Sequence, residues 1–194
     1  IDGKGDGFFS KLYLFEANKQ KLIGTSSASF FGNEDHCYLS VGQLYQNFTQ
    51  AMDLRPNSDE GKVEALAAFG KADKNLLKLL KNATRIDKKS LSINFDVKKI
   101  KSFYDFDFLK DQRANIGDAN FCAVIQTYLE DIMVDYLNIA YEKYPTNNLC
   151  LSGGVAANII MSLAIYERTR FKNIYVYPAM ADDGLAIGSA IISA

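Results

Sequence analysis

Three short stretches of this chain hold residue types that can do chemistry. IDGKGDG (1–7) gathers Asp2, Gly3 and Gly5 into one glycine-rich turn. In CLSGGVAAN (150–158) an apolar run ends at Ser152, breaks into the pair Gly153–Gly154 and gives way to a helical pattern. In YPAMADDG (177–184), Asp182, Asp183 and Gly184 stand where a strand hands over to the last helix. Two successive positions without side chains let a ligand lie against the backbone, and the first N–H groups of a helix can face it. Together the three turns describe a nucleotide or phosphate cleft.

The elements that must position them read as α/β. SKLYLFEA and KLIGTSSASF flank the polar link NKQ and predict a β-hairpin, and FGNEDHCYLS (31–40) reads as a loop. Val41, Leu44, Tyr45, Phe48 and Met52 fall on one face of a helix capped by Ser40, and this stripe reads as core packing. After the break RPNSDEGK, Ser58 or Asp59 caps a second helix, EGKVEALAAF, which ends at Gly70. Residues 71–118 show the weakest pattern: a lysine-rich helix around 75–80, a strand at LSINF, then SFYDFDFLKD. A long apolar helix at 121–144 closes at Pro145, and two strand–turn–helix units finish the chain. The strand ends could then share one edge of a sheet, where open α/β sheets bind ligands.

With 194 residues, 48% hydrophobic and only 3 Pro, the chain can bury a substantial core and is not a disordered segment. Its 22 Lys and Arg against 23 Asp and Glu give a formal charge of −1, with no basic track for nucleic acid. No stretch approaches the roughly 18 apolar residues of a membrane span, and no signal peptide is evident. Cys37, Cys122 and Cys150 lack paired metal spacing, which fits free thiols in a reducing cytoplasm. His36, the sole histidine, sits between Asp35 and Cys37 in the 31–40 loop and makes no site by itself.

Four motifs in order carry a family resemblance: IDGKGDG (1–7), SVGQLYQNFTQAMDLRPNSDEGKVEALAAFGK (40–71), NLCLSGGVAAN (148–158) and YPAMADDGLAIGSA (177–190). They resemble the carbamoyltransferase family of nodulation-factor and antibiotic O-carbamoyltransferases, within the actin/hexokinase ATPase superfamily. The second motif is the most diagnostic, since the S-x-G-x-L-Y pattern, aromatic helix, N-S-x-E-x-K-V and terminal glycine follow in the family's order. The resemblance implies an RNase-H-like lobe with a mixed sheet, a β-hairpin and flanking helices. It makes 1–194 the second lobe of a two-lobed domain, with 72–112 as a family-variable insertion. The first lobe and a C-terminal domain that forms carbamoyl-adenylate are then missing, and the chain reads as a fragment inactive alone. Two positions depart from the pattern: Ser162 replaces the second Asn of N-x-x-x-N, and Ala181 replaces a Gly before the acidic pair.

What the resemblance implies of the residues is specific. Asp2 and Asp182 become the catalytic carboxylate ligands of a divalent metal, Fe(II), completed by an HxxxH pair that would precede residue 1; two carboxylates alone hold it weakly. Gly3 and Gly5 let the backbone approach phosphates, and Gly153, Gly154 and Asn158 hold ATP or carbamoyl-adenylate. Glu60 can accept from ribose hydroxyls and Lys62 can offset phosphate charge. The ordinary alternatives are turn caps for the aspartates, tight turns for the glycines, and an acidic first turn favoured by the helix dipole for Glu60. Asp183 reads as a cap. The implied function is transfer of carbamoyl from carbamoyl-adenylate to an acceptor hydroxyl. The implied partners are the missing lobe and domain, a small-molecule acceptor and, for assembly, a second copy; membrane and nucleic acid do not fit. A tRNA threonylcarbamoyl transferase-like enzyme shares the implied fold and metal. A sugar or acetate kinase fits the motif set less well, and a nucleotide-gated interaction module is the non-enzymatic alternative.

Overall fold

The computed structural model describes residues 1–17, 19–30 and 38–193, so the readings on His36 and Cys37 lie outside the described residues. A long hairpin leads the chain, with β1 (Phe8–Glu16) antiparallel to β2 (Lys19–Ser27). Its entry turn, Gly5 to Phe8, has positive φ at Asp6 (52°) and Gly7 (81°), the conformation that primed hairpin turns demand and that Asp-Gly supplies. A small ribbon, β3 (Ser29–Phe30) with β4 (Tyr38–Leu39), leads into α1 (Val41–Ala51), where the Ser40 hydroxyl accepts from the Gln43 N–H at 2.9 Å as predicted. Next come α2 (Glu60–Ala67) and α3 (Lys74–Asn82), then the hairpin β5 (Thr84–Asp87) and β6 (Ser92–Phe95), then α4 (Val97–Ile100) and α5 (Phe106–Ile116). The 26-residue α6 (Asp118–Lys143), β7 (Asn148–Leu151), α7 (Ile159–Arg168), β8 (Asn173–Val176) and α8 (Gly184–Ser193) complete it.

The result is mixed α/β with small sheets and flanking helices. Among the described residues the strands form four separate two-stranded sheets, of which β7–β8 is parallel. Among the described residues these pairs do not join into the mixed sheet that the resemblance implies.

α6 is the axis of the core. Burial runs almost all round its first half, from Phe121 through Leu129, because α1, α2, α3, α5 and α7 all pack on it. Phe48 of α1 stacks on Phe121 with ring centroids 4.5 Å apart. α2 ends close against the first turn of α6: a Cβ on Gly70 would come within 2.0 Å of the Ala119 carbonyl oxygen, so the terminal glycine of the second motif is a packing requirement. No described helix is long and apolar enough to cross a membrane.

The weakly patterned region contributes to the core. Leu76, Leu80, Leu91, Ile93, Ile100 and Phe103 are all buried in the one core, and the β5–β6 hairpin locks onto the first hairpin through Ser26, whose hydroxyl accepts from the Ile93 N–H at 2.9 Å. The α3 sequence KNLLKLLKN hides this role because only two of its four leucines, Leu76 and Leu80, are buried and three lysines stand among them. Leu80 is fully buried and Leu79 is 53% exposed. Leu80→Ala should therefore lower stability by about 2–5 kcal/mol and Leu79→Ala by about 0.5 kcal/mol or less. Equal urea midpoints for the two variants would show that α3 is peripheral.

Candidate functional site

The three turns singled out in the sequence come together. The Ile1 nitrogen donates to the Ser152 carbonyl at 2.6 Å, the Val155 N–H donates to the Ile1 carbonyl at 3.3 Å, and the Gly153 N–H donates to the Met180 carbonyl at 2.6 Å. The first turn thus lies along the glycine pair, and the loop leading to Asp182 closes on the same pair from another direction.

Asp2 is the focus of this junction. One carboxylate oxygen accepts from the Gly3 N–H at 2.7 Å and the other from the Gly154 N–H at 3.1 Å. A carboxylate held this way has a fixed plane and still keeps lone pairs on both oxygens. Glycine is required around it. A Cβ on Gly153, whose φ is +96°, would fall 2.1 Å from the Ile1 carbonyl oxygen, and one on Gly154 would fall 3.1 Å from the Asp2 Oδ1. From the opposite side a Cβ on Gly42, at the start of α1, would fall 2.7 Å from the Gly3 nitrogen.

The contacts of the glycine pair are made within the chain. The space its missing side chains leave is occupied by Ile1 and Asp2, and the N–H groups of Gly153, Gly154 and Val155 have protein acceptors. No helix starts there either: Gly154–Ala157 is a 3-10 turn and α7 begins at Ile159. Its first N–H groups are also engaged, Ile160 by Glu64 at 2.8 Å and Met161 by the Asn158 side chain at 2.7 Å.

Asn158 is buried and its amide is spoken for. It trades two hydrogen bonds with Gln126 of α6, Nδ2 donating at 2.8 Å and Oδ1 accepting at 3.0 Å, while the Tyr45 hydroxyl donates to Gln126 Oε1 at 3.0 Å. Burial holds the Tyr45 phenol well above its ordinary range, so it stays a donor. Gln126 also donates to Glu130 at 3.1 Å, and burial raises the Glu130 carboxyl above the usual range against the pull of Arg168.

The remaining candidates are dispersed. Glu60 accepts from the Asn57 N–H at 2.6 Å, reaching back over the entry to α2, and Lys62 pairs with Asp59 at 3.0 Å. Hydrogen bonds from the Arg55 N–H and Lys62 hold the Asp59 carboxyl below its ordinary range. Gly5 belongs to the hairpin turn, and nothing lies within 4 Å of where its Cβ would be. Asp182 and Asp183 are exposed; the Asp182 carbonyl accepts from the Leu185 N–H at 3.0 Å in the turn that opens α8. Among the described residues no three His, Cys, Asp or Glu side chains group to hold a metal.

A cleft of about 270 Å³ lies between the end of α2, α6 and the start of α7, lined by Ala67, Gly70, Ala123, Gln126, Glu130 and Ile160. Sequence reasoning missed Gln126, Glu130 and Glu64. Tyr45 was visible only as one member of an apolar stripe. A glutamine interrupting the buried run FCAVIQTYL was the available signal, since a polar side chain on an otherwise buried helix must find partners.

Residues 1–191 match the family described as Carbamoyltransferase N-terminus. An uncharacterized protein of Methanocaldococcus jannaschii is 43% identical over 100% of this chain and 32% of its own length. One from Synechocystis is 32% identical over 81% of this chain and 28% of its own. Nodulation protein U of Bradyrhizobium diazoefficiens is 23% identical over 94% of this chain and 34% of its own. The chain thus spans about a third of the length of the curated relatives it matches. Since the match runs from the turn that bears Asp2 through the loop that bears Asp182, the chain belongs to the carbamoyltransferase N-terminus family.

Proposed function

We propose that this chain is the nucleotide- and metal-binding lobe of an ATP-dependent O-carbamoyltransferase, which passes a carbamoyl group from carbamoyl-adenylate to the hydroxyl of a small-molecule acceptor in the cytoplasm. In this reading it is the second, RNase-H-like lobe of a two-lobed domain. The first lobe and a C-terminal domain that forms carbamoyl-adenylate belong to the same longer polypeptide, in keeping with relatives about three times this length. The isolated lobe is inactive. The observation that carries the reading is the clasp on Asp2, a carboxylate fixed by the Gly3 and Gly154 N–H groups inside the family's own motifs.

The donor types, one carboxylate on Asp2 and one on Asp182, suit the group the reading calls for, and the described residues of this chain bring no third ligand to them. Asp2 is oriented with lone pairs to spare, and Asp182 stands exposed on the loop that closes on the same glycine pair. Two carboxylates joined by two imidazoles from outside this chain suit a first-row divalent ion such as Fe(II). When bound, the ion polarises the carbamoyl carbonyl as a Lewis acid. Gly3 and Gly5 present a turn to the phosphates, and Gly153 and Gly154 shape the same border by holding Asp2. The alanine-floored cleft beside Gln126 takes the adenine. Asn158 acts through Gln126 and the turn it caps, while Glu60 and Lys62 face the ribose and phosphate charge from the entry of α2.

The test is made on the full-length polypeptide with carbamoyl phosphate, ATP and a panel of hydroxyl acceptors, reading carbamoylated product by mass spectrometry. Asp2→Asn should abolish transfer. Gly154→Ala, which crowds the Asp2 oxygen without forbidding the backbone, should lower Fe(II) affinity by about 10–100-fold. Transfer at the wild-type rate by Asp2→Asn would end the metal role.

Glu130 gives a pH signature. Its folded pKa is raised by burial, so its contribution favours folding at low pH and is lost as pH rises through the raised value. Glu130→Gln removes that loss. The urea midpoint of the variant, relative to wild type, should therefore climb as pH rises above the ordinary glutamate range of about 4.3; a difference independent of pH would show that burial does not raise the Glu130 carboxyl.

A further inference from the structure

We propose that Glu130 selects the nucleobase, accepting a hydrogen bond from the 6-amino group of an adenine held in the cleft between α2, α6 and α7, so that 6-oxo purines are refused there. The inference rests on the placing of adenine in that cleft and on nothing in the transfer step. The cleft has room for a single heterocycle: its volume of about 270 Å³ falls below the roughly 300–1,000 Å³ of sites that enclose a drug-sized ligand. Ribose and phosphate then lie outside it. Ala67 and Ala68 at the end of α2 and Ala123 on α6 line it with methyl groups, which leave space for a flat ring and bring no polar side-chain atom to it.

The polar side chains of the cleft stand on one wall. Gln126, Thr127 and Glu130 all belong to α6, and the Gln126 amide is already engaged by Tyr45, Asn158 and Glu130. Glu130 has capacity to spare. Its Oε1 accepts from Gln126 at 3.1 Å, but Oε2 faces the Arg168 guanidinium at 3.8 Å, beyond hydrogen-bond distance, and no described residue donates to it. Arg168 is itself bonded to Asp131. Burial raises the Glu130 carboxyl, as it does where the hydration a charge loses is not made up by protein donors. An incoming N–H makes it up. The Thr127 hydroxyl lines the same wall and is the adjacent donor for a ring nitrogen. Adenine presents an amine donor beside a nitrogen acceptor, and guanine presents a carbonyl oxygen in the amine's place. That oxygen would meet the carboxylate with no proton between them.

A photolabel that keeps adenine's amine, 2-azido-AMP, tests it on the full-length polypeptide. Mass spectrometry locates the label on the peptides that hold residues 67–72 and 123–130, with AMP, purine riboside 5′-monophosphate and IMP as competitors. In the wild type, AMP should displace the label at about 10–100-fold lower concentration than the purine riboside nucleotide, which lacks the amine, and IMP should compete less well still. Glu130→Ala should abolish these differences. Glu130→Gln, of the same shape but with both an acceptor and a donor, should keep the advantage of AMP over the purine riboside nucleotide and admit IMP. Undiminished preference for AMP in Glu130→Ala overturns the inference, as does equal competition in the wild type. Label found only on other peptides overturns it too, by moving adenine elsewhere. A Glu130-dependent preference in a protein that carbamoylates no acceptor upholds the inference and ends the carbamoyl-transfer reading alone.

Discussion

The site depends on the approach of backbone to backbone around residues 1–3. This segment runs between the glycine pair of the β7 turn and Gly42 at the head of α1, and a Cβ on Gly153 or Gly42 would come closer than 3.0 Å to its main chain. The interaction has little energy of its own beyond a few hydrogen bonds. Its importance is geometric: without side chains in the way, an N–H from each flank of Asp2 reaches the carboxylate, and the plane of that carboxylate is set by the main chain. Elements distant in sequence are thereby tied to the two carboxylate oxygens of Asp2.

The core is built to keep those elements in register. α6 packs against most of the other helices, and where it would otherwise be purely apolar it carries Gln126, whose amide joins α1 through Tyr45 and α7 through Asn158. No described buried side-chain polar atom lacks a partner, so the network is of the satisfied kind that fixes one arrangement. Gln126 also lines the cleft between α2, α6 and α7. A ligand in that cleft and the turn that clasps Asp2 are therefore joined through two side chains, Gln126 and Asn158, neither of which has a free amide with which to adapt.

The helices of the second motif and the three turns themselves were legible in the sequence because each depends on local signals: a Ser cap, an apolar stripe, a glycine at a chain reversal. In residues 72–112 the helix around 75–80 and the strand at LSINF were legible, but their place in the core was not, because those contacts are long-range. The glycine pair was legible as a place of close approach, but the approaching atoms were not. Glycine states that something passes near the backbone, and only the tertiary arrangement shows that Ile1 and Asp2 are what passes. Asn158 illustrates the same limit, since an amide after a glycine turn looks alike whether its partner is a ligand or Gln126.

Asp2 stands at the meeting of two structural demands, and this constrains how the site is completed. It is the final residue of the extended segment bonded to both Phe9 and the β7 turn, and it also bears the oriented carboxylate. Any displacement of that segment moves the carboxylate, because the bonds from Ile1 to Ser152 and Val155 and from Asp2 to Phe9 hold it in place. The segment that carries Asp2 is bonded both to the hairpin at Phe9 and to the β7 turn at Gly154, so the plane of its carboxylate is coupled to both through main-chain groups.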